Sequence, residues 1–514
     1  MASSGCGSSS VPDVEQASVS RAEAAKEPES IGEVSDEVKA SAEAFCGACH
    51  IFPSPQNFTQ ERWAHEVQRG FDFYFSSGRS DLTMPSPEDV TRYYRSLAPA
   101  EFEFPPREPV DVSALARFDP GIVQSEGELL QAPATAAIKV IDWGPTLGKQ
   151  LVYSDMRNGG IFAAPSSGEK SHQGQLLARL RNPCRFQQVD LDGAGQIGLL
   201  VSDLGRFLPS DHNLGRVVWL TRESDSSSAF TQEVLLSDCG RVADVQCGDI
   251  DGDGDLDIVV ADFGWHTTGQ LLWMERISAG PATAASFKTH VLDTRSGALE
   301  SRILDFDGDG KLDIIALFGQ EFETVMLYTQ DSSGQFSGQS IFSADPSSGS
   351  SGMEVCDLDG DGDWDVVYTN GDALDSFQIK PYHAVHWLEN KGQLTFEDHQ
   401  LAYIPGCHSP QVVDFDGDDD TDILVGSFLP SQLKGAGDAS ELASLVWLEN
   451  TGGEEFEVRV LQVGDCSHAA VCVADFDQNG TMDIAMGSFY LDETEMMAPP
   501  IAILSTTPAR ESSQ

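Results

Sequence analysis

The sequence is poor in positive charge. Lysine and arginine number 31 against 82 aspartates and glutamates, a formal net charge of −51. A surface this acidic repels phosphates, which argues against nucleic acid as a partner. Long apolar runs are missing too: no stretch approaches the roughly 18 residues needed to cross a bilayer as a helix. Residues 1–10 have neither a basic region nor an apolar one, so no complete secretory signal is present there. A Ser/His/Asp set, a Gly-rich phosphate loop, zinc-type Cys/His spacing and flavin or nicotinamide signatures are also absent. What the chain has in excess is aspartate and glycine, and both gather in one recurring pattern.

In that pattern Asp249, Asp251, Asp253, Asp255 and Asp257 alternate with Ile250, Gly252, Gly254 and Leu256. Close copies begin at Asp305, Asp357, Asp414 and Asp475, a faded copy at Asp190 and a fainter one near Asp142. Successive copies lie 48, 59, 56, 52, 57 and 61 residues apart. Such a period is the mark of a repeat architecture. Each unit has one grammar. An apolar strand leads into the Asp loop, as at Val412 and Val413, and a second leaves it, as at Ile423 to Val425. After a variable polar loop comes a strand built on Trp219, Trp273, Trp387 or Trp447, then a Phe-led strand such as that at Phe287. Four short strands per unit predict an all-β seven-bladed β-propeller over residues 111–508. The last copy lacks its fourth strand, while an orphan Phe-led strand, Phe118 to Val123, precedes the first. That orphan is expected to close the ring and cover the unpaired edge.

The units resemble FG-GAP or VCBS repeats, the type that builds the integrin α-subunit propeller, over roughly residues 111–508. The resemblance implies calcium in Asp-x-Asp-x-Asp-Gly-x-x-Asp loops. The chemistry agrees, because Ca²⁺ takes about six to eight oxygen ligands and a tight loop aims alternate carboxylates inward. One set is Asp249, Asp251, Asp253 and Asp257 with the Asp255 carbonyl. Others are Asp305, Asp307, Asp309 and Asp313; Asp357, Asp359, Asp361 and Asp365 with Asp363 in the carbonyl position; and Asp475, Asp477, Asn479 and Asp483. Asp414, Asp416, Asp418 and Asp422 match as well, but Asp419 replaces the turn glycine. The Asp190 copy has Ala194 and Gly198 at two ligand positions and is expected to bind nothing. About four to five structural Ca²⁺ ions follow; the bland alternative is an acidic solvated turn. In propellers of this type the Asp loops share one face. The opposite face would carry Arg185, Arg241, Arg302, His408 and His468 before the inner strands, and Trp265, His266, Tyr382 and His383 in loops. That funnel is a candidate site for an anionic or carbohydrate ligand, or for docking another domain. The alternative is satisfied polar groups at a solvated pore mouth.

Ahead of the repeats the composition changes. Residues 1–38 are Ser-, Ala- and Glu-rich and read as a disordered tether. Within it Ser4-Gly5-Cys6 resembles the cleavage end of a bacterial lipoprotein signal, with Cys6 as a lipidation site and a start upstream of Met1; a stray cysteine in a polar tail is the other reading. Cys46-Gly47-Ala48-Cys49-His50 has the spacing of covalent haem c attachment, two thiols for two vinyl groups and an imidazole for the iron; a redox dithiol is the alternative. With Met84-Pro85 and a closing helix from Ser86 through Val90, Tyr93, Tyr94 and Leu97, residues 39–100 resemble a small all-α class I cytochrome c domain. The resemblance implies His50 and Met84 as axial ligands, with His65 as a competitor or a plain surface residue. Residues 101–110 read as a Pro-rich semi-rigid spacer, and 509–514 as a tail. Cys239 and Cys247, like Cys466 and Cys472, would sit too far apart on one extended strand to bridge; a Cys407–Cys466 bridge between neighbouring blades is considered, and Cys247, Cys356 and Cys472, just before the Asp loops, read as small buried residues.

Three functions follow. The first is an extracytoplasmic haem-c electron-transfer protein whose calcium-loaded propeller binds a redox partner, a small molecule or a carbohydrate, with membrane attachment only through Cys6. The second is a haem-linked oxidoreductase with its substrate on the propeller face. The third is a calcium-dependent adhesion or structural protein. No residue carries a catalytic assignment.

Overall fold

The repeat grammar becomes sheets. Around Asp249, the strands Val242–Gly248, Asp257–Asp262, Gln270–Arg276 and Phe287–Asp293 pair in chain order, each antiparallel to the next. A computed structural model of the chain describes residues 34–111, 118–125, 131–165, 171–222, 230–278, 280–374, 376–431, 433, 439–452, 455–492 and 497–506. The described residues hold 28 strands, in five four-stranded sheets and one eight-stranded sheet. Second strands such as Asp257–Asp262, Asp313–Phe318 and Asp422–Ser427 are buried at every position. That two-sided burial is why they read as unbroken apolar runs. Fourth strands such as Phe336–Ser343 are mostly exposed.

The eight-stranded sheet is held together by the orphan strand. Phe118–Ser125 pairs antiparallel with Ile501–Thr506, Phe118 opposite Thr506, as the sequence leads one to expect. It also pairs in parallel with Ser171–Arg179, which the sequence did not foretell. First strands of successive units pack side by side, and Thr135–Asp142 of the first unit packs against His468–Ala474 of the last. The core lies between neighbouring sheets. Leu200 and Trp219 meet Val245, Val260 and Met274; Val259 and Trp273 meet Ile314 and Tyr328; Ile315 and Leu327 meet Val366 and Leu388. The fold is therefore mostly β and propeller-like.

Three helices precede it: α1 (Asp36–Cys46), α2 (Trp63–Ser76) and α3 (Pro87–Leu97). Ser35 caps α1 by accepting from Val38 N–H at 3.4 Å, so this region starts slightly before the expected residue 39. Ser86 and Pro87 start α3 as expected, although the Ser86 hydroxyl makes no capping bond. The helices share an aromatic core in which Trp63 stacks on Tyr94 at 3.8 Å and Phe45 on Phe71 at 4.9 Å. Leu97, expected on the apolar face of α3, is instead 49% exposed. Among the described residues no helix is long and apolar enough to cross a membrane.

The Pro-rich segment is not a free spacer. Arg107 pairs with Glu441 at 2.8 Å, Val110 forms a parallel bridge with Val460, and Asp111 pairs with Arg459 at 2.9 Å. An extended chain without internal hydrogen bonds has its backbone groups free for a neighbour, and here Asp111 N–H donates to the Val460 carbonyl at 2.9 Å. The described cysteines are all free, so the Cys407–Cys466 bridge does not form. Of the three cysteines before the Asp loops, Cys472 is buried as expected, whereas Cys247 and Cys356 are only half-buried. Cys6 lies outside the described residues.

Candidate metal loops and the opposite face

The Asp loops share one backbone. Gly252 and Gly254 adopt φ of 75° and 96°, Gly308 and Gly310 74° and 88°, Gly360 and Gly362 76° and 96°. These left-handed positions are where glycine costs least. In the Asp414 copy Asp419 takes φ of 74° itself, so the turn survives without its glycine. Side chains then fold inward over the backbone. Gly254 N–H donates to Asp249 Oδ2 at 3.1 Å and Asp253 N–H to Asp251 Oδ1 at 3.2 Å. The same bonds recur at Asp305 and Gly310 (2.9 Å), Asp357 and Gly362 (3.0 Å), Asp414 and Asp419 (3.2 Å), and Asp475 and Gly480 (2.9 Å). Carboxylate oxygens of Asp249, Asp251 and Asp253 come within 4.8 Å of one another, as do those of Asp305, Asp307 and Asp313, of Asp357, Asp359 and Asp361, and of Asp414, Asp416 and Asp422. The other oxygen of the leading residue, Oδ1 of Asp249, Asp305 and Asp357, is buried and has no hydrogen-bond partner. Orphaned anionic oxygens facing other carboxylates fit a hard cation. The Asp190 copy keeps the turn, with Gly195 N–H on Asp190 Oδ2 at 2.8 Å, but two of its carboxylates are replaced.

The closing aspartate has a second duty that spacing alone did not reveal. Asp365 Oδ2 accepts from Leu358 N–H at 3.1 Å, and its Oδ1 from Asn390 N–H at 2.7 Å. Asp313, Asp422 and Asp483 do the same, so each ties its loop to the third strand; Asp257 accepts from Arg276 N–H at 2.7 Å. The indoles of Trp273, Trp387 and Trp447 lie beside Asp257, Asp365 and Asp422, a polar neighbour for the tryptophan in these three third strands. Burial pushes the Asp257 carboxyl up to about 7 and those of Asp365, Asp422 and Asp483 up to about 6. Asp313 shifts upward for the same reason.

In the helical region Cys46 is half-buried at the end of α1, and burial pushes its thiol upward. Cys49 is exposed, its Sγ 2.7 Å from Arg79 Nη1. His50 Nδ1 lies 2.8 Å from the Ile51 carbonyl. A carbonyl can only accept, so Nδ1 carries the proton and Nε2 keeps its lone pair, the tautomer a metal ligand needs. Ile51 and Met84 are 51% and 45% exposed, leaving apolar surface uncovered. Two unbridged thiols, an imidazole and a thioether are donors of the type a haem takes, but Phe45, Trp63, Phe71 and Tyr94 fill the space among the helices, so the three helices do not by themselves make the expected cytochrome c-like domain. His65 is exposed and pairs with Glu66, a surface residue.

The face away from the Asp loops departs most from expectation. Arg185 reaches Glu300, and Arg302 binds Glu354 through Nε at 3.1 Å and Nη2 at 2.9 Å. Both cations are thus neutralised inside the ring. His383 and His468 are 0% and 1% exposed, core residues rather than a lining. Burial pushes both downward, and His408 to about 4. His408 Nδ1 bonds to the Gly406 carbonyl at 2.8 Å. His266 is exposed and packs on Phe73 of α2 at 4.6 Å. Nearby, Ser54 N–H donates to Asp345 at 2.6 Å and the Tyr382 hydroxyl to the Asn57 carbonyl at 3.4 Å. The helices therefore rest on this face. Arg241 remains, 9% exposed beneath the ring of Phe263. Sequence reading missed an aromatic layer here: Phe489 contacts Phe428 at 5.1 Å and Phe207 at 6.0 Å. Its signal was present, since Phe263, Phe428 and Phe489 each directly follow a second strand.

The FG-GAP-like repeat family matches residues 305–368, from the Asp305 loop through the Asp357 loop. The chain thus carries an FG-GAP-like repeat within a propeller-like fold, an architecture of ligand-binding or adhesion type. No curated protein matches it. Similar solved structures include BBS1N in complex with ARL6DN, soaked with lead, at 11% identity and a TM-score of 0.43, covering 74% of this chain and 95% of that one. Another is the V. cholerae biofilm matrix protein Bap1, at 10% identity and a TM-score of 0.38, covering 76% and 91%. Likenesses this loose do not bear on function.

Proposed function

We propose that the chain is an extracytoplasmic electron-transfer protein: a calcium-stabilised propeller of seven blades that binds a ligand or partner, with a c-type haem on the helices. The seven-blade count treats the eight-stranded sheet as two blades joined by Phe118–Ser125. Calcium is assigned to the loops at Asp249, Asp305, Asp357, Asp414 and Asp475. Cys46 and Cys49 would anchor the haem and His50 would ligate it through Nε2, with Met84 the candidate sixth ligand. Bound haem supplies one-electron chemistry at its iron. The observation that carries the reading is the seat of the helices on the face opposite the Asp loops, through Ser54, Asn57 and Phe73. A redox group there would stand next to whatever that face binds. Lipidation of Cys6 belongs to the same extracytoplasmic reading.

The test is expression with a cytochrome c maturation system, followed by haem staining of the denatured chain and a redox titration. Covalent haem that disappears in Cys46→Ala/Cys49→Ala is the expected result; a haem-free wild-type chain would sink the electron-transfer reading. One observation favours a second reading, a haem-free adhesion-type protein: Phe45, Trp63, Phe71 and Tyr94 already fill the space among the three helices.

A further inference from the structure

Arg241 stands just before the strand Val242–Gly248, on the face away from the Asp loops. A guanidinium this buried is ordinarily neutralised by a carboxylate, yet Arg241 makes no ion pair among the described residues. Its Nε–H is buried without an acceptor, and Nη2 reaches the Phe207 carbonyl only at 3.5 Å. The loop that carries Phe207 also carries His212. There Leu214 N–H donates to His212 Nδ1 at 3.1 Å, so the neutral ring bears its proton on Nε2. That Nε2–H is buried and also lacks an acceptor. Their loops meet: Arg241 Nη2 lies against the Phe207 carbonyl of the His212 loop, and Asp211, beside His212, accepts from Thr267 N–H at 2.9 Å in the loop after Phe263, whose ring covers Arg241. Two adjacent buried donors without an acceptor call for one from outside the chain.

We propose that Arg241 and His212 form a binding site for a singly charged oxyanion, the carboxylate or sulfate-ester group of this protein's ligand. The assignment rests on the reading of this face as the ligand surface and deepens it. Charge decides the class. Arg241 brings one positive charge, the charges of Arg206 and Asp211 beside His212 offset each other, and His212, made less basic by burial, is neutral near pH 7. One negative charge balances that, whereas a dianion would leave net negative charge buried in a chain already at −51. The Nε and Nη edge of a guanidinium matches two oxygens of such a group, and His212 Nε2–H supplies a third bond.

The test is titration calorimetry on the full calcium-loaded chain with acetate and methyl sulfate, using acetamide as the neutral isostere and hydrogen phosphate as the dianion. Saturable binding of both monoanions is expected, with phosphate weaker and acetamide silent. Arg241→Gln should weaken binding about 10- to 100-fold and His212→Ala several-fold, with calcium content and circular dichroism unchanged. If Arg241→Gln does not fold, His212→Ala carries the test. Equal affinity in the variants, equal binding of acetamide, or no saturable anion binding would each overturn the site. A neutral glycan array separates this from the broader reading: glycan binding that survives Arg241→Gln overturns the anion site alone, and a face that binds neither anion nor glycan overturns both.

Discussion

At the residue scale, aspartates that share one motif do different work. Asp361 has an exposed side chain within the loop, while Asp365 is buried and holds two backbone N–H groups. Asp365→Ala should therefore cost roughly 2–5 kcal/mol by orphaning both donors, even in chelator, as read by denaturant unfolding. Asp361→Ala should remove one bound Ca²⁺ by metal analysis and leave the chelator-state stability nearly unchanged. The closing aspartates also set a pH dependence. A carboxyl whose folded pKa is raised binds more protons folded than unfolded. Its contribution is complete below the unfolded value of about 4 and is lost as pH rises through the folded value, here about 6 for Asp365, Asp422 and Asp483 and about 7 for Asp257. In chelator the melting temperature should fall between about pH 4 and pH 7. Saturating Ca²⁺, which favours the ionised carboxylates, should flatten or reverse that fall. A chelator-state melt that rises over this range would refute the assignment.

At the element scale, Phe118–Ser125 is the joint of the ring. Val123 is fully buried and sits opposite Ile501. Val123→Pro removes a ladder N–H and should destabilise the fold by about 1–3 kcal/mol, and it would leave Ile501–Thr506 with an unpaired edge. Exposed edges recruit other strands, so sedimentation should show concentration-dependent association in this variant and not in the parent. A monomeric Val123→Pro chain of unchanged stability would mean the strand is dispensable.

At the scale of the whole molecule, the charge of −51 and the clustered loops act together. Without cations the loops repel within themselves and across one face. Chelation is expected to lower the melting temperature by several degrees or more, on the scale of about 2–4 °C per kcal/mol for domains of ~150–250 residues. Added NaCl should recover part of that loss by screening the exposed carboxylates. Differential scanning calorimetry in chelator, with and without salt, checks both; an unchanged melt in excess chelator would count against structural calcium.

The sequence by itself determined what is local. Alternating Asp and Gly fix the loop backbone, so the turns, their period and the strands entering and leaving them were legible, and so was Phe118 as partner of the last strand. Tyr93 and Tyr94 could be placed in the helical core because a helix face is written in spacings of three and four residues. The tertiary structure decided everything that depends on partners far apart in the chain. Arg185 and Glu300, 115 residues apart, meet only because the ring brings their strands together. That meeting takes Arg185 off the ligand face, just as close packing buries His383 and His468. The strap at Arg107 and Asp111 and the seat of the helices on the propeller have the same origin. Charge pairing and burial are settled by three-dimensional neighbours, and a one-dimensional pattern names the charged groups without saying which will meet.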